Sequence, residues 1–319
     1  MRIVFMGTPE FSVPSLEALL GSKHLVVGVV TQPDRPKGRG QEVVFSPIKR
    51  ICVREGIPIL QPTKMKDPTF LDALQAWQPD VIAVAAFGRI LPPAILRLPP
   101  RGCINVHGSL LPKYRGAGPI QWAIIRGEQE TGITTMLMDE GMDTGAMLLQ
   151  ERISITPDDT AETLAARLAQ IGGTLLVETL RRLEEGTLFP IQQDHAQATL
   201  APILKKEDGL IDWTMAATEI ANRVRGLSPW PGAYTDCGGE RWTLWRVLPR
   251  DEHADEVPGT IRTITKDAAD VATGKGTIRL LEIQPANSRR MTMAQYLAGH
   301  RLPAGTILGS ASQGKTPAS

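Results

Sequence analysis

Through its first half the chain repeats one pattern: a short apolar run, a glycine- or proline-marked turn, then a segment with helical spacing. Ile3–Met6, Leu25–Val30 and Val81–Ala86 are nearly unbroken apolar stretches, as strands buried on both faces are. Val13–Leu20, Ser46–Arg54 and Pro68–Trp77 carry helical spacing, with Ser12 at an N-cap position and Pro14 near a helix start. Ile57–Leu60 reads as a short strand, Leu91–Leu98 as a short proline-framed segment, and Arg101–Ile104 opens another buried run. Pro119–Arg126 reads as helix and Thr131–Met138 and Ala146–Ile153 as strands. Thr160–Leu183 is a long amphipathic helix with Leu164, Leu168, Ile171 and Leu175 along one side. Alternation of this length predicts an α/β domain, a mostly parallel Rossmann-like sheet with helices on both faces.

The pattern stops at Glu184-Glu185-Gly186. Residues 189–206 show no periodicity and read as a linker between a catalytic domain at 1–188 and a second domain at 207–309. That second domain should open on a helical segment, Glu207–Arg225, starting near Asp212-Trp213. Beyond Trp230-Pro231-Gly232 come the strand-like runs Ala233–Asp236, Thr243–Val247, Gly259–Thr265 and Thr277–Ile283, with turns at Gly238-Gly239 and Gly274-Lys275-Gly276. Short strands with such turns predict a small antiparallel barrel, OB-like in type. The polar tail, 310–319, is expected to be disordered.

A chain of 319 residues suits two domains. Its net charge of +1 announces no general affinity for polyanions, so a nucleic-acid partner would need a local basic patch. Cys52, Cys103 and Cys237 lie far apart and form no Cys-x-x-Cys pair, against a disulfide framework or zinc site and in favour of a reducing cytoplasm. The histidines are scattered, so no metal is expected. No run approaches about 18 uninterrupted apolar residues, and no charged, apolar and small-residue series marks a secretory leader. The expectation is a cytoplasmic monomer without membrane attachment.

The buried run after Arg101 closes on Asn105-Val106-His107-Gly108-Ser109-Leu110-Leu111-Pro112. Residues two apart in a strand share a face, so Asn105 and His107 should point the same way at the strand's carboxyl end, where open α/β sheets bind ligands. Asp143 follows in the glycine-punctuated stretch Met138–Gly145. A carboxamide, an imidazole and a carboxylate are the parts needed for acyl transfer to an amine. On residues alone, a polar strand end satisfied by loop backbone and an Asp in a Gly-rich turn account for them as well. A nicotinamide enzyme is disfavoured, because Gly7-Thr8-Pro9-Glu10-Phe11 lacks the later glycines of the phosphate fingerprint and Pro9 removes a donor.

Taken with Gln32–Gly40, Leu111–Gln121, Ile211-Asp212-Trp213 and Pro229-Trp230-Pro231, these residues make the chain resemble the formyltetrahydrofolate-dependent formyltransferases, in particular their methionyl-tRNA branch. The resemblance implies that a formyl group passes from 10-formyltetrahydrofolate to the α-amino group of methionine on initiator tRNA. It implies that Asn105 donates to the developing oxyanion, that His107 donates to the same oxygen or moves the proton, and that Asp143 orients the imidazole. Ser109, Leu110, Leu111 and Pro112, with Phe87, Gly88 and the Met136–Asp143 loop, are the implied folate wall. Arg35, Lys37 and Arg39 in the long Gln32–Ser46 loop are implied tRNA contacts. Arg223, Arg225, Lys275, Arg289, Arg290 and Arg301 are candidates for a basic face on the second domain. Trp213, Trp230, Trp242 and Trp245 are expected in its core, not as base-stacking platforms, with Trp213 and Trp230 as anchors at the domain junction. The alternative is the same folate chemistry on a small amine, an amino sugar or nucleotide, which would need neither the basic loop nor the second domain.

Overall fold

The computed structural model describes the backbone of residues 1–37 and 42–309, and the side chains of all these except 35–37, 42 and 43. The chain divides into two compact units, one of Met1–Pro119, Glu130–Ser154 and Leu164–Pro202, the other of Ile120–Gln129, Ile155–Thr163 and the chain from Ile203 onward.

The first unit begins with β1 (Arg2–Gly7), α1 (Val13–Leu20), β2 (Leu25–Val30) and the small hairpin β3 (Arg35–Lys37) and β4 (Glu42–Val44). It continues with α2 (Pro47–Glu55), β5 (Ile59–Leu60), α3 (Pro68–Ala76), β6 (Val81–Ala85), α4 (Pro93–Leu96) and β7 (Cys103–His107). After α5 (Pro119–Ile125), which but for Pro119 belongs to the second unit, come β8 (Glu130–Leu137), β9 (Met147–Ser154) and the long helix α6 (Ala161–Glu185). The sheet runs β5-β2-β1-β6-β7-β8-β9, parallel from β5 to β7 and antiparallel from β7 through β9. The mostly parallel α/β class read from the sequence holds. The antiparallel turn at β8 and β9 was not legible, because pattern fixes which residues are buried but not strand direction.

The chain places β2 and β5 on one side of β1 and then β6 and β7 on the other, so strand order reverses beside β1. Such a reversal opens a crevice at the carboxyl ends of the strands. Burial alternates across the sheet. Val4, Met6, Ile82, Val84 and Cys103 pack with Phe70 and Leu74 of α3 and Ile95 of α4. Val106, on the opposite face, lies against α6 at Gly172. Ser12 does stand at the N-cap of α1, but it makes no side-chain cap bond. Its buried hydroxyl donates to Ala85 O at 2.6 Å, tying the loop after β1 to the end of β6.

Gly28 in β2 is required by close approach: a Cβ there would lie 2.6 Å from carbons of the Trp77 ring. Gly28→Ala is therefore expected to destabilise the protein by about 1–3 kcal/mol, measured as a lower urea midpoint.

The second unit carries α7 (Ala217–Gly226), β10 (Ala233–Cys237), β11 (Glu240–Arg250), β12 (Ile261–Ile264), β13 (Ala269–Ala272), β14 (Thr277–Pro285), β15 (Met291–Thr292) and α8 (Met293–Gly299). Its antiparallel sheet runs β10-β11-β14-β13-β12, with β15 on β14. No ladder joins β10 to β12 among the described residues, so this is an open sheet and not a closed barrel. The two edges instead share one neighbouring segment: Ile261 N donates to Thr306 O, Leu308 N to Gly259 O and Gly309 N to Asp236 O, each at 2.8 Å. The helix expected from Glu207 begins only at Ala217. Asp212 explains the delay, since its carboxylate accepts from Thr214 N at 2.9 Å and Thr214 Oγ1 at 2.6 Å, a local turn that competes with helix.

Trp213 and Trp242 are core, as expected, and the Trp213 indole donates to Thr235 Oγ1 at 3.0 Å. Trp230 is 52% exposed and lies outside that core, a correction to the expectation that it would be buried there. Trp245 is half-buried, donates to Gln284 Oε1 at 3.0 Å and has the Arg290 guanidinium 4.9 Å from its ring. Among the basic candidates, Arg223 and Arg225 spend donors on backbone carbonyls, Asp208 O for the first and Thr156 O and Asp159 O for the second. Among the described residues no helix is long and apolar enough to cross a membrane.

Candidate active site

β7 reaches the carboxyl edge of the sheet between parallel β6 and antiparallel β8, with Asn105 opposite Val84 and Met136. Cys103, Asn105 and His107 share one face by strand periodicity. Cys103 is sunk into the core, and burial pushes its thiol up to about 12, so it stays protonated and inert at neutral pH. Asn105, two residues on, is half-buried, and its carboxamide makes no hydrogen bond among the described residues. His107 is 5% exposed.

The imidazole is held on both sides. Its Nε2 lies 3.0 Å from Tyr114 O, and because a carbonyl can only accept, Nε2 carries the hydrogen. Nδ1 is thereby the nitrogen left without a hydrogen in the neutral ring, and Asp143 Oδ2 stands 3.6 Å from it. That distance is an ion-pair contact once the imidazole is protonated, and it is too long for a direct hydrogen bond. The same Oδ2 accepts from Gly116 N at 2.8 Å. Asp143 and Tyr114 both adopt left-handed backbone, with φ of 55° and 61°. For non-glycine residues this conformation costs roughly 1 kcal/mol or more each. Gly116 sits at φ 121°, where a Cβ would also lie 2.6 Å from Ala201 O. The backbone that supplies the N–H to Asp143 thus admits only glycine.

The segment following His107 is a bonded turn. Ser109 Oγ donates to Lys113 O at 2.6 Å, and Leu111 N donates to Thr134 Oγ1 at 3.1 Å. Thr134 Oγ1 in turn donates to Ser109 O at 2.7 Å, while Gln150 Nε2 donates to Leu111 O at 2.9 Å. Ser109 and Leu111 are buried in this turn, and Leu110 and Pro112 are half-buried. Phe87 is 2% exposed in the core, and Gly88 is exposed with φ 74°. Of the six residues taken as a folate wall, Leu110, Pro112 and Gly88 offer surface, whereas the Phe87, Ser109 and Leu111 side chains face protein. Met142, beside Asp143, is 63% exposed.

Sequence reasoning missed the residues that hold Asp143. The stretch read as a linker runs back over the first unit: Ile191 exchanges two 2.8 Å backbone hydrogen bonds with Met147, and Arg115 N donates to Thr199 O at 2.8 Å. Between these points Gln193 donates from Nε2 to Asp143 O at 2.8 Å and to Gly145 O at 2.7 Å. Its Oε1 accepts from Arg115 Nε at 3.0 Å and Nη2 at 2.6 Å. Arg115 lay within a motif already singled out, but Gln193, alone in an aperiodic stretch, gave no signal.

At the base of the basic loop, Lys49 Nζ pairs with Asp34 and donates to Gln61 Oε1 at 2.9 Å. The Lys49 bond holds the Asp34 carboxyl below its ordinary range. Arg39 lies outside the described residues, as do the side chains of Arg35 and Lys37.

The chain matches the Formyl transferase family over residues 1–180 and the Formyl transferase C-terminal domain over residues 203–301. A methionyl-tRNA formyltransferase of Caldanaerobacter subterraneus is 53% identical over 309 residues, covering 97% of this chain and 100% of that protein. Another, of Desulfotalea psychrophila, is 51% identical over 308 residues, covering 97% and 95%. Among solved structures, an N-formyltransferase of Helicobacter canadensis in complex with folinic acid and dTDP-3-aminofucose superposes with a TM-score of 0.67 at 17% identity, covering 91% of this chain and 100% of that one. At that identity the structure speaks for the fold alone, whereas full-length identity above 50% speaks for kinship, and the chain belongs to the methionyl-tRNA formyltransferase family of the formyl transferases.

Proposed function

We propose that the protein transfers the formyl group of 10-formyltetrahydrofolate to the α-amino group of methionine carried by initiator tRNA, in the cytoplasm, for translation initiation. The observation that carries this reading is the 53% identity, over its whole length, with an enzyme named for that reaction. The His107–Asp143 pair, on the strand face that Asn105 shares, is the chemistry that the reaction needs.

The amine attacks the formyl carbon, a new C–N bond forms and the carbonyl electron pair moves to oxygen. The Asn105 amide, which has no hydrogen-bond partner among the described residues, donates to that oxygen. His107 takes up or returns the proton at Nδ1, with Asp143 balancing the imidazolium. Collapse breaks the bond to the folate nitrogen, which leaves with the proton released by the amine. Transfer is direct, since Cys103 is a buried thiol and Ser109 Oγ is committed to Lys113 O. Half-buried Leu110 and Pro112, with exposed Met142, give an apolar border suited to a flat reduced pterin.

The second unit acts in this reading as an OB-like tRNA-binding domain, and segment 305–309 completes its curl between the edge strands. Arg35, Lys37 and Arg39 contact the acceptor stem. Arg39→Ala is expected to lower kcat/KM for methionylated initiator tRNA by about 10-fold while leaving the folate KM unchanged, as loss of a phosphate contact does; equal loss on both substrates would remove the loop's assignment. The reading as a whole is tested by offering methionylated initiator tRNA, methionylated elongator tRNA and dTDP-3-aminofucose in parallel. Strong transfer to the first alone is expected, and preference for the amino sugar would replace the reading.

A further inference from the structure

We propose that Gln193 is a positioning residue for formyl transfer: pinned by Arg115, it clamps the backbone on both sides of Asp143 and so fixes where that carboxylate meets His107. This rests on the acid–imidazole reading given above. Gln193 is 5% exposed and all its hydrogen-bonding capacity is used, two N–H groups on Asp143 O and Gly145 O and two lone pairs on Arg115. The clamp acts where the backbone is least comfortable, since Asp143 stands at φ 55°. A left-handed non-glycine residue persists only where its surroundings over-determine it.

Arg115 adds an electrostatic element. It is 7% exposed, and its guanidinium donates to neutral partners, Gln193 Oε1 and His195 Nδ1, the latter at 3.1 Å. No carboxylate pairs with it among the described residues. A buried cation on the amide oxygen polarises the amide and strengthens donation from its N–H groups. Arg115, Gln193 and the Asp143 backbone therefore form one polarised relay ending at the residue that faces the imidazole. A side chain whose task was to satisfy Arg115 could do so equally well as a carboxylate, but a carboxylate would repel the two carbonyls.

The test compares Gln193→Met and Gln193→Glu in the full-length enzyme, with Asp143→Asn alone and combined with Gln193→Met. Both Gln193 variants should lose about 10- to 100-fold in kcat, the scale of a sub-ångström misplacement, with both KM values held within about threefold. Gln193→Glu, which keeps the Arg115 contact, should lose less thermal midpoint than Gln193→Met and still lose kcat. In the Asp143→Asn background, Gln193→Met should cost little more, because it acts through the same carboxylate. Full kcat in Gln193→Glu, or full additivity with Asp143→Asn, would overturn the proposal while leaving the Asp143 assignment standing. If Asp143→Asn itself kept wild-type kcat, both would fall.

Discussion

Asn105→Ala is expected to lower kcat for formyl transfer by roughly 10²- to 10³-fold, the effect of deleting one oxyanion donor, with little change in stability. Both halves of that expectation come from the same observation. The Asn105 backbone is locked in the ladder between β6 and β8, but its carboxamide has no hydrogen-bond partner among the described residues. Removing it therefore orphans no buried group and costs folding about 0.5 kcal/mol or less. The amide contributes only when charge develops on the formyl oxygen, so the loss should fall on kcat and kcat/KM together. Single-turnover formylation with both substrates saturating is the direct measurement. Asn105→Asp sharpens it: a carboxylate of the same shape opposes an oxyanion and should do no better than alanine. A kcat for Asn105→Ala close to wild type would place the donor elsewhere.

The contrast between Asn105 and Gln193 shows how far a sequence can be read into a site. Asn105 and His107 were legible because strand periodicity projects residues two apart to one face, and both sit at the end of an unmistakable apolar run. Asp143 was legible only through resemblance, because an Asp among glycines has the composition of an ordinary turn. The turn expected to border the folate was half legible as structure: pattern located Ser109–Pro112 but could not tell which side chains it consumes internally. Thr134 and Gln150, on strands far along the chain, settle that by bonding into the turn. Gln193 was illegible. Its position follows from backbone bonds of Ile191 and Thr199 to distant segments, contacts that leave no periodic trace. In the second unit, β13 (Ala269–Ala272) escaped for a related reason, since four small residues lack the bulk by which buried strands announce themselves.

Asp143→Asn is expected to lower kcat by about 10²- to 10³-fold, as losing the acid that steadies a catalytic imidazole does, and it isolates the charge more cleanly than any other substitution here. Asparagine tolerates left-handed backbone at least as well as aspartate, so φ 55° is kept without new strain. Its Oδ1 can still accept from Gly116 N, now 2.8 Å from the carboxylate. What disappears is the negative charge 3.6 Å from His107 Nδ1. Without it the imidazolium formed in mid-reaction has no counter-charge, while His107 stays oriented through Nε2 on Tyr114 O. KM for both substrates should therefore hardly move, and the thermal midpoint should stay near that of the parent. Asp143→Ala should lose similar activity and in addition about 1 kcal/mol of stability, because alanine must adopt the left-handed conformation without a side chain that bonds locally. The difference in midpoint between the two variants reads the backbone strain, and their shared loss of kcat reads the charge. Wild-type turnover in Asp143→Asn would mean that His107 manages its proton unaided, and the strained loop around position 143 would then have to be explained by substrate binding instead of proton handling.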